Sequence, residues 1–162
     1  MIETESGFDY KTYEKTDNDI KHIYTMVNLG NDEYHLLFEE VYNKEKLLYS
    51  IDALVDENGN YTRIILDTSS FEKSIHINGN EVISDNIFVK RKDSLYGKVY
   101  CSSLVKNKVS LEDYLEMNPT YSSIEDEEYK PSIDSNIIIS SFIKASKELK
   151  SKLKLLRVPS NN

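Results

Sequence analysis

The chain of 162 residues has the length of a single domain and can bury a hydrophobic core without metal or disulfide cross-links. Its formal net charge of −8 argues against direct binding to nucleic acid, because affinity for the phosphate backbone comes from neutralising cations. The single cysteine, Cys101, excludes an intramolecular disulfide framework and favours a reducing compartment, for which we predict the cytoplasm.

The charges are spread unevenly along the chain. Residues 135–162 carry six basic groups and one acidic group, a net charge of +5, which leaves 14 basic and 27 acidic groups, a net charge of −13, for residues 1–134. The composition is rich in Lys, Ile, Asn and Tyr, which is typical of AT-rich genomes and indicates a low-GC bacterium, a phage or another virus as the source. Neither an export signal nor a membrane-spanning segment is predicted.

The first 19 residues are polar, with only three large aromatic side chains, and predict a frayed end or an edge strand. The first core strand is predicted at Lys21–Leu29, a segment of strand-forming residues that ends at the turn Gly30-Asn31-Asp32. We therefore expect the sheet proper to begin near residue 20.

Residues 33–49 fit two structures. Apolar residues such as Tyr34, Phe38 and Val41 follow helical spacing after a potential cap at Asp32. Against a helix, Asn43-Lys44-Glu45 has the composition of a loop, and apolar side chains alternate with period two over residues 47–55. We interpret the segment as a β-hairpin.

Two hairpin signals, Asn58-Gly59-Asn60 and Asn78-Gly79-Asn80, organise the centre of the chain. Asn-Gly favours a type I′ turn, which needs positive φ at both central positions. The strands predicted around and after these turns are Tyr61–Leu66, Phe71–Ile77, Val82–Lys90 and, beyond a turn at Lys92-Asp93-Ser94, Leu95–Val105. No proline precedes Pro119, so residues 20–106 are predicted to form an uninterrupted antiparallel meander.

Two helices are predicted after the meander. Ser110 and Asp113 form a capping-box pattern that predicts a short helix over residues 110–117, ended by Asn118-Pro119. A longer amphipathic helix is predicted over residues 135–158, with Asp134 or Ser135 as its cap. Its apolar stripe is formed by Ile138, Phe142, Ala145, Leu149, Leu153 and Leu156. Its lysines lie on the other side and crowd the C-terminal half, where the helix dipole favours cations.

The loop over residues 118–134 is the candidate site. It holds four consecutive acids, which cannot all be structural because they repel one another, and tyrosines often anchor protein contacts. The predicted partner-binding residues are Tyr121, Glu125, Asp126, Glu127, Glu128 and Tyr129. The alternative is a flexible, solvated linker that carries the chain to its last helix.

No residue pattern indicates a catalytic or metal site. His22, His35 and His76 lie on separate predicted strands without ligand spacing, and no glycine-rich phosphate loop is present. Cys101 has no base or helix N-terminus nearby in sequence and is interpreted as a small buried hydrophobe. Asp56 begins a stretch that resembles a calcium loop, but its chemistry is that of a hairpin. We therefore predict no catalytic residue, no cofactor, no metal and no enzymatic activity.

These observations predict a single α+β domain: about seven antiparallel strands in meander order, barrel-like or sandwich-like, closed by the C-terminal helix. The expected function is a non-enzymatic, cytoplasmic protein-binding module whose acidic surface contacts a basic partner, for example an inhibitor, an immunity or counter-defence factor, or a phage or virus accessory protein. The oligomeric state is left open.

Two alternatives remain at this point. The first is a ligand-binding β-barrel with a cavity lined by residues such as Tyr49, Ile51, Ile64, Leu66, Ile75, Ile77 and Phe88. The second concerns the basic helix, which can pack on its own acidic sheet or instead lie on an anionic membrane or in a partner's groove. The membrane version is disfavoured, because Phe142 is the only aromatic anchor in the stripe.

Overall fold

One antiparallel sheet and two helices make up the part of the chain that the computed structural model describes, residues 9–30, 32–91 and 97–157. The strands are β1 Asp9–Asp17, β2 Ile20–Asn28, β3 Tyr34–Asn43, β4 Lys46–Val55, β5 Tyr61–Thr68, β6 Phe71–Asn78, β7 Glu81–Val89, β8 Val99–Ser102, β9 Val109–Ser110, β10 Tyr121–Ser122 and β11 Glu128–Tyr129. The helices are α1 Leu111–Leu115 and α2 Ser135–Arg157, and a 3-10 helix covers Ser103–Asn107.

The first eight strands are hydrogen-bonded in sequence order, β10 and β11 extend the sheet beyond β8, and β9 pairs with β7. This arrangement confirms the predicted α+β meander with a C-terminal helix, although the described residues form eleven strands rather than about seven. Strand β8 corresponds to the seventh predicted strand, so the additional strands are the edge strand β1 and the two-residue strands β9, β10 and β11. The three short strands form where later segments return to the edge of the meander.

Residues 33–49 form the predicted hairpin and not a helix. Strands β3 and β4 pair from Phe38 with Asp52 to Asn43 with Lys46, and Lys44 in the connecting turn has a φ of 56°. Strand β1 is an edge strand, as expected for the N-terminal segment, and its side chains are exposed except for the half-buried Tyr13. Residues 1–8 and the predicted turn at 92–94 lie outside the described residues.

Both Asn-Gly segments form turns, but neither is built as predicted. Asp56 organises the first one: its carboxylate accepts hydrogen bonds of 2.9 Å from the backbone N–H groups of Asn58 and Asn60, which is hairpin chemistry. In the second turn Asn78 pairs with Glu81, so Gly79 and Asn80 are the central residues, and of these only Gly79 has positive φ (65°). A type I′ turn needs positive φ at both positions and is therefore excluded.

The core lies on one face of the sheet, under helix α2. Fully buried side chains from the strands include Met26, Leu36, Ile51, Ile64, Leu66, Phe71, Ile75 and Ile87. Helix α2 contributes Phe142, whose ring centroid lies 5.8 Å from that of Tyr61. The Tyr61 hydroxyl lies 2.7 Å from the carbonyl oxygen of Leu36 and 2.9 Å from Oγ of Ser146, so it joins helix and sheet.

The basic helix thus packs on its own sheet, as the intramolecular alternative predicted. The stripe is rotated slightly from the predicted one, because Ile139 and Ser146 are buried while Ile138 and Ala145 are half-buried. The side chain of Leu156 lies outside the described residues. Asp134 caps the helix, since its carboxylate accepts a hydrogen bond of 3.3 Å from the N–H of Ile137.

Three boundaries after the meander differ from the prediction. Of the predicted strand 95–105, residues 95 and 96 lie outside the described residues, and within the rest strand β8 covers 99–102. It ends at residue 102 because the chain turns into the 3-10 helix at residue 103. The capping box is present, with Oγ of Ser110 accepting a hydrogen bond of 3.1 Å from the N–H of Asp113. Helix α1 nevertheless ends at residue 115 instead of 117.

The barrel predicted for the ligand-binding alternative is not formed, since the described sheet is open, with β1 and β11 at its two ends. Of the proposed cavity-lining residues, Ile51, Ile64, Leu66, Ile75 and Ile77 are packed in the core and Tyr49 packs against it. Phe88 follows the core residue Ile87 on β7 and so lies on the opposite face. Among the described helices, none is long and apolar enough to cross a membrane.

Candidate functional site

The segment that carries the four acids is attached to the sheet through two short strands. Strand β10 pairs with β8 through Tyr121 with Ser102 and Ser122 with Cys101, and β11 pairs with β10. The two-residue strands could not be predicted from the segment itself, because their pairing partners are supplied by the folded sheet edge. The loop between them, residues 123–127, is therefore a short hairpin connection.

Hydrogen bonds within the loop hold its backbone. The N–H of Ser123 donates to the carbonyl of Glu127, and the N–H of Asp126 donates to the carbonyl of Ser123, each over 3.0 Å. The hydroxyl of Ser123 accepts a further hydrogen bond of 3.2 Å from the N–H of Glu125, and Asp126 has a φ of 64°. The backbone of the loop is thus hydrogen-bonded to itself between two strands of the sheet.

Lys98 holds two of the four acids from the side. Its ammonium pairs with the carboxylate of Glu125 and lies 2.9 Å from Oε1 of Glu127. That oxygen also accepts a hydrogen bond of 3.1 Å from the hydroxyl of Tyr100. The hydrogen bond from Lys98 lowers the pKa of Glu127. Exposed pairs of this kind contribute little to stability, so their effect is to orient the loop.

Ile124 is the residue that sequence reasoning missed. It lies inside the acidic loop and its side chain is 97% exposed, more than any other large hydrophobic residue among those described. A lone isoleucine directly before Glu125-Asp126-Glu127-Glu128 was visible in the sequence as an apolar residue with no periodic partner. Ile124 therefore projects as an apolar side chain from a negatively charged loop whose backbone is hydrogen-bonded.

The two predicted tyrosines lie in different surroundings. Tyr129 is half-buried at the base of the loop, where its ring centroid is 5.3 Å from that of Tyr100 and 6.4 Å from that of Phe71. Tyr121 is only 1% exposed and belongs to the core. Tyr121 therefore cannot touch a partner in the folded chain, which corrects its predicted role.

Tyr121 instead belongs to a buried polar cluster around Lys73. The Lys73 ammonium is completely buried and donates hydrogen bonds to the hydroxyl of Tyr121 (2.6 Å), Oγ of Ser135 (3.1 Å) and Oδ1 of Asn136 (2.7 Å). Asp85 lies on the neighbouring strand, 3.8 Å from the ammonium. Lys73 was not singled out from the sequence, although its place in the period-two pattern of Phe71, Lys73, Ile75 and Ile77 on β6 is a signal that could have placed it on the core face.

The carboxylate of Asp85 completes the cluster. Its Oδ2 accepts hydrogen bonds from the hydroxyls of Tyr121 (2.8 Å) and Tyr114. Burial lowers the pKa of Lys73 to about 8 and raises the pKa of Asp85 to about 6, while each charge partly offsets the shift of the other. Burial, and then the Asp85 charge, raise the pKa of Tyr121. The cluster joins β6 and β7 to β10, α1 and the start of α2.

The three histidines do not converge. His22 lies 2.7 Å from the buried carboxylate of Glu39, whose pKa is raised by its burial. Burial lowers the pKa of His35, and His76 lies on the face of the sheet opposite the core. Within the residues described, no group of three or more His, Cys, Asp or Glu side chains could hold a metal ion. Cys101 is exposed, which corrects its interpretation as a buried hydrophobe.

Comparison of the chain with protein-family models, curated proteins and solved structures finds no match. The function must therefore be inferred from the geometry of the chain itself.

Proposed function

We propose that the chain is a non-enzymatic, cytoplasmic protein-binding module that contacts a basic partner surface through loop 123–128, which is the connection 123–127 together with the first residue of β11. The observation that carries the proposal is Ile124, a fully projecting apolar side chain on a loop whose backbone is already held in place. Preorganised loops bind with a smaller loss of conformational entropy. An inhibitor, an immunity or counter-defence factor and a phage or virus accessory protein are all functions of this kind.

The charges and the apolar residue have separate roles in this proposal. The four acids attract a basic surface and so raise the association rate. This attraction acts over about one Debye length, roughly 8 Å at physiological salt. Ile124 then enters an apolar pocket of the partner and slows dissociation, as buried anchors at interface centres do. Basic groups on the partner replace part of the pairing that Lys98 gives to Glu125 and Glu127.

The test is a pull-down from the native host with the wild-type chain and two matched variants. Ile124→Ser removes the anchor, and Ile137→Ser removes an isoleucine that is 61% exposed and belongs to α2 instead of the loop. We expect a basic protein to be captured by the wild-type chain and by Ile137→Ser, to be lost with Ile124→Ser, and to be released as salt rises. Equal capture by both variants, or capture that salt does not weaken, would contradict the proposal.

A further inference from the structure

The amine of Lys73 and the side-chain amide of Asn136 are in direct contact in the core. Nζ of Lys73 lies 2.7 Å from Oδ1 of Asn136, and both residues are almost completely buried. Since a C=O bond is about 1.23 Å long, the amide carbon lies within about 3.9 Å of this nitrogen. A buried amine within this distance of an amide carbon is a nucleophile placed next to its electrophile.

The amide is held in one orientation. Nδ2 of Asn136 donates hydrogen bonds to the backbone carbonyls of Tyr114 (2.9 Å) and Met117 (3.1 Å), which leaves Oδ1 facing Lys73. The rings of Tyr114 and Tyr121 flank the amine, with centroids 5.3 Å and 5.4 Å from Nζ. These contacts keep the two reacting groups together while excluding other nucleophiles.

A proton path leads from the amine to Asp85. The hydroxyl of Tyr121 accepts a hydrogen bond from Nζ and donates one to Oδ2 of Asp85, so it can relay a proton between them. Asp85 is also 3.8 Å from Nζ directly. Transfer of one proton along this path converts the ammonium and carboxylate pair into a neutral amine and a carboxylic acid.

We propose that the folded chain forms an isopeptide bond between Nζ of Lys73 and Cγ of Asn136, with Asp85 as the group that accepts and returns the proton. The neutral amine attacks Cγ to give a tetrahedral intermediate. Nζ loses two protons in all: Asp85 takes the first before the attack and gives it to the leaving nitrogen, and it takes the second from the intermediate as the bond from Cγ to Nδ2 breaks and ammonia is released. Asp85 then passes the second proton to the ammonia, so the products are a secondary amide and one ammonium ion, the carboxylate is restored, and no other reactant is required.

Burial lowers the free-energy cost of forming the neutral pair that the reaction needs, while the charged pair remains the more populated form. Burial moves the pKa of Lys73 down to about 8 and that of Asp85 up to about 6, which brings the two values to within about two units of each other. Asp134, before α2, is a further acid whose charge acts on Lys73 and opposes this lowering. A pocket of about 300 Å³ lies beside the cluster and is lined in part by Tyr121 and Ser135.

The test is mass spectrometry of the purified full chain after incubation, folded, at about pH 8, where a large fraction of Lys73 is neutral. We expect the intact mass to fall by one ammonia molecule. Asn58-Gly59 and Asn78-Gly79 can also lose ammonia by forming succinimides, so the intact mass alone is not sufficient. A tryptic digest distinguishes the two reactions. An isopeptide bond blocks trypsin after Lys73 and joins that peptide to the one containing Asn136.

Two variants and one control define the chemistry. Lys73→Arg keeps the cation but removes the nucleophile and should give no joined peptide, whereas Lys98→Arg, at an exposed lysine, should give it as the wild type does. Asp85→Asn should slow the reaction about a hundredfold, the usual order for a lost proton-transfer group. Circular dichroism checks that each variant is folded. A wild-type chain that keeps its full mass, or that trypsin cleaves completely after Lys73, overturns the proposal whatever the variants do.

Discussion

Asp85 shows how a single buried carboxylate makes stability depend on pH. Its pKa is about 6 in the folded chain, above the ordinary value of 3.8, because burial disfavours the charged form. Between about pH 6 and pH 4 the folded state therefore binds a proton that the unfolded state does not bind. Acidification through this window favours the folded state, the reverse of the usual carboxylate effect.

The prediction compares the wild-type chain with Asp85→Asn, which does not titrate. The free energy of unfolding of the wild type, relative to that of the variant, should rise when the pH is lowered from 7 to about 5. Urea unfolding followed by circular dichroism at the two pH values measures this difference. A relative stability that is constant, or that falls on acidification, would show that Asp85 is not held at a raised pKa.

Gly59 and Gly79 allow a second prediction for single residues, because both have positive φ (84° and 65°) but different neighbours. A Cβ at Gly59 would lie 3.1 Å from Cε1 of the buried His35, whereas one at Gly79 would meet nothing within 4 Å. Gly79→Ala should cost about 1–2 kcal/mol, the strain of a left-handed alanine. Gly59→Ala should cost more, because the His35 ring must also move. Urea unfolding that ranks the two variants equally, or in reverse order, would contradict this account.

Helix α2 is the element that covers the core, and its two faces should respond very differently to mutation. Phe142 is buried against Tyr61, so Phe142→Ala should destabilise the fold by about 3–5 kcal/mol through lost burial and a cavity. Ile137→Ala on the exposed face of the same helix should change stability by less than about 0.5 kcal/mol. Equal losses in chemical denaturation would mean that the helix does not pack through Phe142.

The elements of the meander were predictable because their signals are local. The Asn-Gly turns and the period-two pattern after Leu47 specified strands without reference to the rest of the chain. The short strands β9, β10 and β11 were not predictable, because two residues carry no periodic pattern and pair only where a sheet edge is already present. Strand β8 ends earlier than predicted because the chain leaves the edge of β7 and forms a 3-10 helix from residue 103.

The candidate site was only partly predictable for a similar reason. Four adjacent acids indicated an exposed loop from composition alone, and the structure places all four at the surface. Whether a neighbouring aromatic residue faces solvent or the core depends on tertiary contacts. Tyr121 was therefore predicted to be exposed for partner binding, whereas it is buried in the core. Lys73 was the opposite case: its core-facing position could have been predicted from the strand pattern, but its partners on α2 and β10 are distant in sequence.

At the scale of the whole molecule, positive charge is concentrated on helix α2. The exposed lysines of α2, such as Lys144, Lys147 and Lys152, lie on one element of an otherwise acidic chain. Residues 129–134 separate the acidic loop from that helix in sequence, so a negative and a positive region lie close together along the chain. The proposed function accordingly requires a partner that is basic where it meets residues 125–128.

The last prediction separates local charge from total charge. Replacing Glu125, Asp126, Glu127 and Glu128 with Ser and Asn changes the net charge from −8 to −4, because four negative charges are removed. A matched variant replaces four exposed acids elsewhere, Glu14, Asp17, Asp19 and Glu45, and reaches the same net charge. Both variants should keep the stability of the wild type to within about 1 kcal/mol, since exposed charges contribute little to folding.

Their association rates with the captured partner should differ. At low salt we expect the loop variant to bind about tenfold or more slowly than the matched variant, because steering depends on charge at the contact and not on the total. At high salt the two rates should converge, because screening removes the contribution of the loop. Stopped-flow or surface-based kinetics at two ionic strengths provides the comparison. If both variants associate at the same rate at low salt, the four acids of loop 123–128 do not steer the encounter and the loop serves only to connect β10 to β11.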